Sequence, residues 1–185
     1  MSPPRTLGTS EERRDAAISA SVTVFARGGF HGGTIAQVGE EAGISPAYVF
    51  KLFGSKTTLF VEALGLCFGR IAATLNARAD TIGAGSPGKI LDELGAAYAE
   101  LIADRSLLML QVHAQSASAV PEIASALRDG MQHITEIAHS RSGGTPGQVQ
   151  DFIARGQLCH LLITTSVADV EAPWARILDH GIRHP

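Results

Sequence analysis

Along this 185-residue chain, apolar residues recur three and four positions apart, the spacing of helices that bury one side. The sharpest pattern runs from Thr34 to Phe60, where two short helical segments meet across Ala42-Gly43-Ile44-Ser45. Thr34 with Gln37 fits a capping box, and Ile35, Val38 and Ala42 define the buried side of the first segment. Gly43 supplies the left-handed turn, and Ser45-Pro46 reads as an N-cap with proline in the first helical position. From there Pro46, Val49, Phe50 and Phe53 are expected to face inward and Ala47, Tyr48 and Lys51 outward. This is the sequence form of a helix-turn-helix.

The flanking patterns are helical as well. Thr9 and Glu12 open a helix through Ala17, Val22 and Phe25 that should stop at Gly28-Gly29 and brace the two that follow. Residues 1–8 read as a flexible arm with one arginine. From Ser55 a long helix carries Leu59, Phe60, Ala63, Leu64, Cys67, Ile71 and Leu75 to about Asp80. Gly83-Ala84-Gly85-Ser86-Pro87 is the clearest linker, and further helices are predicted at about 88–104, 106–118, 121–140, 146–168 and 172–183. No strand-like alternation of useful length occurs, so the expected class is all-α. Residues 1–54 form a helix-turn-helix domain in this reading, and 55–185 a helical bundle for ligand binding and dimerisation.

The outward residues suit a DNA groove. Alanine and a tyrosine ring can touch thymine methyls, a tyrosine hydroxyl can reach a base or phosphate, and lysine can neutralise a phosphate. Gly54-Ser55-Lys56 opens the next helix, whose free N–H groups and lysine would make a phosphate clamp. The candidate DNA contacts are Thr34, Ser45, Pro46, Ala47, Tyr48, Lys51, Lys56 and Thr57. A helical corner with no DNA role would share the turn chemistry but not require the trailing lysine.

Over residues 10–60 the chain resembles the TetR family of transcriptional repressors. The resemblance is carried by Thr34, Ile35-Ala36, Ala42-Gly43-Ile44-Ser45, Val49-Phe50-Lys51-Leu52-Phe53, Lys56 and Leu59-Phe60, with Phe25 and Gly28-Gly29-Phe30 upstream. Phe50 stands where the family usually has tyrosine, and Leu52 where it often has histidine or tyrosine, so two usual phosphate donors are missing. Contacts would then shift to Tyr48, Lys51, Lys56 and Thr57. The resemblance implies a homodimer reading a pseudo-palindromic operator in double-stranded DNA, and release by a small apolar or amphipathic effector.

Charge fits such a reader only modestly. The net charge is −3, but residues 1–60 hold six Lys and Arg against five Asp and Glu, and the remainder nine against thirteen. Binding would rest on a few aimed contacts and on dimerisation rather than a broad basic surface. Cys67 and Cys159 lie in apolar helical patterns without metal or redox spacing, which points to a reducing cytoplasm. No signal peptide is read at the start, and no segment is expected to approach the apolar length of a membrane helix.

Two further sites are predicted beyond residue 55. The helix from Thr145-Pro146 is apolar around much of its circumference, and the last short helix adds an aromatic stripe. The resemblance implies that this pair meets its two-fold mate, through Phe152, Leu158, Leu161, Leu162, Trp174, Ile177 and Leu178. It also implies an effector pocket, with Cys67, Phe68, Ile71, Tyr98, Leu101, Ile102, Met109, His113, Phe152, Leu158 and His160 as candidate lining and His113 the favoured polar group. Each of these is also an ordinary core residue for such a bundle. An enzyme is disfavoured: there is no nucleophile elbow, phosphate loop or paired metal spacing among the seven histidines, and Cys159 and His160 point about 100° apart on a helix. No cofactor or metal is expected. A helical ligand carrier without DNA function is the alternative class.

Overall fold

The computed structural model describes residues 9–182, and over these it is all-α. The expected arm at residues 1–8 and the last residue of the helix predicted at 172–183 lie outside that range. In chain order the helices are α1 (Ser10–Gly32), α2 (Ile35–Ala42), α3 (Pro46–Phe53), α4 (Lys56–Thr81), α5 (Pro87–Leu101), α6 (Arg105–Ser116), α7 (Pro121–Ser142), α8 (Pro146–Thr164) and α9 (Pro173–Asp179). Thr9 with Glu12, Thr34 with Gln37 and Thr145 with Gln148 each close the reciprocal capping box that their spacing predicts. Ser45 and Ser86 cap α3 and α5, each with proline at the helix start.

Several ends differ from the sequence reading. α1 does not stop at Gly28-Gly29. It continues to Gly32 across a break at Gly29, where φ is 64°. α8 ends at Thr164 instead of 168, because Ser166 turns left-handed at φ 53° and a short 3-10 turn, Val167–Asp169, follows. The last helix covers only Pro173–Asp179.

One continuous hydrophobic cluster joins α1 through α8, from Ala17 and Phe25 by way of Phe60, Leu64, Leu75 and Leu94 to Leu107, Ile123 and Val149. Phe60 is its hinge point, meeting Phe25 edge-on with ring centres 4.9 Å apart and Phe30 at 5.3 Å. Each such fully buried large side chain contributes roughly 1.5–3 kcal/mol. α4 runs through the middle, packed on α1, α3, α5, α6 and α7, while α1 also lies along α2 and α6. Against expectation, α4 is long and apolar enough to cross a bilayer by length and composition, the one such helix among the described residues. Its Leu59, Phe60, Ala63, Leu64, Cys67, Phe68, Ile71, Ala72 and Leu75 are, however, committed to the cluster.

Phe50 corrects the sequence reading of α3. It was expected inward, but it is 56% exposed, and the buried side consists of Val49 and Phe53 with Leu52 partly covered. Pro46 is exposed too. In an eight-residue helix, Phe50 and Leu52 both fit an apolar stripe with Val49 and Phe53, and packing selects Leu52.

Candidate nucleic-acid interface and ligand cavity

The turn between α2 and α3 is shaped by two glycines. Gly43 is left-handed at φ 68°, and its N–H bonds back to the carbonyls of Glu40 and Gly39. A Cβ on Gly39 would stand 2.8 Å from the Ile44 carbonyl oxygen, so α2 and the start of α3 can approach this closely only over a glycine. The result presents Ala47, Phe50 and Lys51 to solvent on one side of α3, with Tyr48 half-buried beside them.

Tyr48 is held by α1: its hydroxyl lies 3.5 Å from Ser10 Oγ, and the Arg13 guanidinium sits over its ring at 5.3 Å. Thr34 and Ser45 are exposed caps whose oxygens accept backbone N–H bonds. Lys56, in the first turn of α4, lies over the Phe30 ring at 4.8 Å and donates to the His31 carbonyl at 3.4 Å. Thr57 follows it, half-buried. The ion pair of Arg14 with Glu62, at 2.6 Å, ties α1 to α4 behind this face. Of the eight candidate contacts, Ser45, Pro46, Ala47, Tyr48 and Lys51 lie on the α2–α3 turn and α3, Lys56 and Thr57 in the first turn of α4, and Thr34 at the far end of α2. Phe50 and Arg13 join them, and exposure is what singles out Phe50.

A cavity of about 370 Å³ opens among α4, α5, α7 and α8. Of the candidate lining residues, Phe68, Ile71, Tyr98 and Phe152 border it. Cys67, Leu101, Ile102, Met109, His113 and Leu158 do not. Cys67 is buried, donates to the Leu107 carbonyl at 3.5 Å, and has its thiol pushed up to about 12 by burial. Ile102 and Met109 pack with Cys159, and Leu158 with Leu162 and Val167. His113 lies against Gly29 of α1. His160 reaches the cavity indirectly, through a short hydrogen bond between its Nε2 and the Tyr98 hydroxyl. Burial holds this imidazole neutral, its pKa pushed down to about 4, and raises the Tyr98 phenol above its ordinary value.

Sequence reading missed Gln111, which lines the cavity and donates to the Tyr98 oxygen at 3.3 Å and to the Leu107 carbonyl at 3.1 Å. A glutamine inside the apolar run SLLMLQVHAQ was the available signal. One wall depends on Gly130, where a Cβ would fall 2.3 Å from the Phe68 ring. Asp92, Asp151 and Arg155 add charge where the lining is exposed, with Asp92 and Arg155 paired at 3.7 Å. No group of three or more His, Cys, Asp or Glu side chains able to hold a metal comes together among the described residues.

The proposed pairing residues divide in two. Leu161, Trp174 and Ile177 are 53%, 52% and 74% exposed, and Leu178 and Val170 join them. Leu162 is buried, Leu158 is partly buried beside it, and Phe152 faces the cavity. Large apolar side chains thus stand uncovered on α8 and α9, grouped at one end of the chain.

Residues 17–63 match the family described as bacterial regulatory proteins, tetR family. The fold resembles that of a TetR-family transcriptional regulator from Agrobacterium tumefaciens, at 16% identity and a TM-score of 0.72, covering 95% of this chain and 96% of that one. It also resembles the transcriptional regulator FadR from Bacillus subtilis, solved with stearoyl-CoA, at 14% identity and 0.69, covering 91% and 99%. A TetR-like transcriptional regulator from Rhodococcus sp. RHA1 is similar at 20% identity and 0.65, covering 96% and 94%. No curated protein matches the chain.

Proposed function

We propose that this chain, whose residues 17–63 match the bacterial regulatory proteins of the tetR family, is a DNA-binding transcriptional regulator acting as a homodimer. It is a repressor, released from a pseudo-palindromic operator by a small apolar or amphipathic effector. The observation that carries this reading is the outward face of α3, where Ala47, Phe50 and Lys51 stand exposed beside a Tyr48 that α1 holds in place. Small, aromatic and cationic groups on a short helix after a tight turn suit base edges and phosphates in a major groove. Lys56 and the first turn of α4 would hold the adjacent phosphate.

The uncovered stripe of Leu161, Trp174, Ile177 and Leu178 supports pairing of two copies through α8 and α9. The cavity beside α4 supports effector binding, and FadR with stearoyl-CoA is a similarly folded protein with a ligand bound. Because α4 touches both the cavity and α1, a ligand that favours one placement of α4 would shift the population of operator-competent dimers. The site of action is the cytoplasm, with no membrane partner.

The test is selection of bound duplexes from a random DNA library, with the salt dependence of the winner's affinity measured alongside. The expected result is an enriched inverted repeat bound with a steep salt slope. A folded dimer that enriches nothing at low salt would leave a helical ligand carrier as the better reading.

A further inference from the structure

Apart from the group formed by Leu161 and residues 170–178, Phe50 is the one large hydrophobic side chain exposed among the described residues. A single exposed ring needs no account by itself. Its neighbours give this one a use. Along its own face of α3, Phe50 has Pro46 and Ala47 before it and Phe53 and Gly54 after it. Phe53 is buried, whereas Pro46, Ala47 and Gly54 are exposed. None of the four has a side-chain hydrogen-bond donor or acceptor. A Cβ on Gly54 would meet nothing within 4 Å, so the space beyond α3 on this flank is open. Helical side chains lean back over the preceding turn, which for Phe50 is the turn of Pro46 and Ala47.

Charge indicates what this apolar patch faces. Between Glu41 and Glu62 the chain has no carboxylate, and its two charges there are Lys51, exposed next to Phe50, and Lys56. That stretch is complementary to a polyanion. At about 100° per residue, Phe50 and Tyr48 stand on opposite flanks of the outward face, with Ala47 and Lys51 between them. The Tyr48 flank is polar and tied to α1 through Ser10 and Arg13. The Phe50 flank offers apolar groups alone. A phenyl ring cannot donate to a phosphate, and a hydrogen-bonding base edge pressed against it would lose water without gaining a partner. The major groove presents one apolar group that such a flank can read, the 5-methyl of thymine. The first turn of a recognition helix is also the part that meets base edges.

We propose that Phe50, with Pro46 and Ala47, is the specificity-determining contact for one thymine 5-methyl group in each operator half-site. This rests on reading α3 as the groove-facing helix of a DNA-binding dimer, and it adds the base group that the operator must carry and the side chain that reads it.

The experiment starts from the duplex that the full-length protein enriches from the random library. Each thymine in it is replaced in turn, symmetrically in both half-sites, by deoxyuridine, which lacks only the methyl. At one position the wild type should bind about fifteenfold more weakly, from about fourfold for the buried methyl of each half-site. Phe50→Ala should bind the unmodified duplex at least that much more weakly and should no longer distinguish thymine from deoxyuridine at that position. The deoxyuridine scan of the wild-type protein stands without any variant. No weakening at any position, an enriched duplex with no thymine in its half-sites, or an equal deoxyuridine effect in wild type and Phe50→Ala would each overturn the assignment and leave the regulator reading in place. The absence of an enriched duplex would overturn both.

Discussion

Gly29 makes room for the His113 ring: a Cβ at this glycine would stand 2.9 Å from His113 Nδ1, and its φ of 64° is one that other residues rarely adopt. This is where the end of α1 rests on α6, so the helices behind the α3 face are seated on the part of the chain that holds the cavity through a glycine. Gly29→Ala should cost about 1–3 kcal/mol of stability, from backbone strain and the displaced imidazole together. Adding His113→Ala should recover the second part only. Equal urea midpoints for wild type and Gly29→Ala would show that the junction yields freely.

Phe50 and Phe53 make a matched pair on one short helix. Phe53 is 6% exposed, and its truncation to alanine should cost about 3–5 kcal/mol, as for a core phenylalanine. Phe50→Ala should stay within about 0.5 kcal/mol of wild type in thermal unfolding. A large loss at Phe50 would return it to the core.

That pair also shows what was and was not legible. Helix starts were readable because a cap is local: Thr34 and Gln37, or Ser45 and Pro46, need only each other and the intervening backbone. The left-handed stop at Gly43 was readable for the same reason. Which side of α3 is buried was not, since a two-turn helix offers two apolar stripes and only its neighbours choose between them. The cavity was harder still. Tyr98, Gln111 and His160 come from α5, α6 and α8, and no spacing within one segment announces a hydrogen-bonded group assembled from three. His113 stood out in its run by polarity, yet it serves the α1–α6 junction, and Gln111 two positions earlier turns to the cavity.

On an operator found by selection, Tyr48→Ala should weaken binding by about 1–3 kcal/mol if the side chain reads a base, with little change on unrelated duplexes. Lys56→Ala should instead weaken all duplexes alike and lower the salt slope by about one. An exchange of the two patterns would reverse the assigned roles.

His160 gives a pH signature. Its imidazole titrates near 6.5 when unfolded and is pushed down to about 4 by burial, so the unfolded chain takes up the proton first as pH falls. Stability linked to this group is complete above pH 6.5, declines as pH drops toward 4, and is fully lost below that, amounting to no more than roughly 3 kcal/mol. His160→Gln should flatten that part of the stability curve. Parallel curves for the two proteins across that window would mean that His160 is charged in the native state or exposed to water.

The uninterrupted cluster from Ala17 to Val149 bears on modularity. Phe25 and Phe30 close on Phe60, and α1 is seated on α6, so the interior around Val38, Val49 and Phe53 runs on into the rest of the bundle without a break. Grafting the first three helices onto another protein would cut through a shared interior rather than a linker. An exchange that kept the fold intact would have to carry the matching surfaces of α4 and α6 with it, not the first three helices alone.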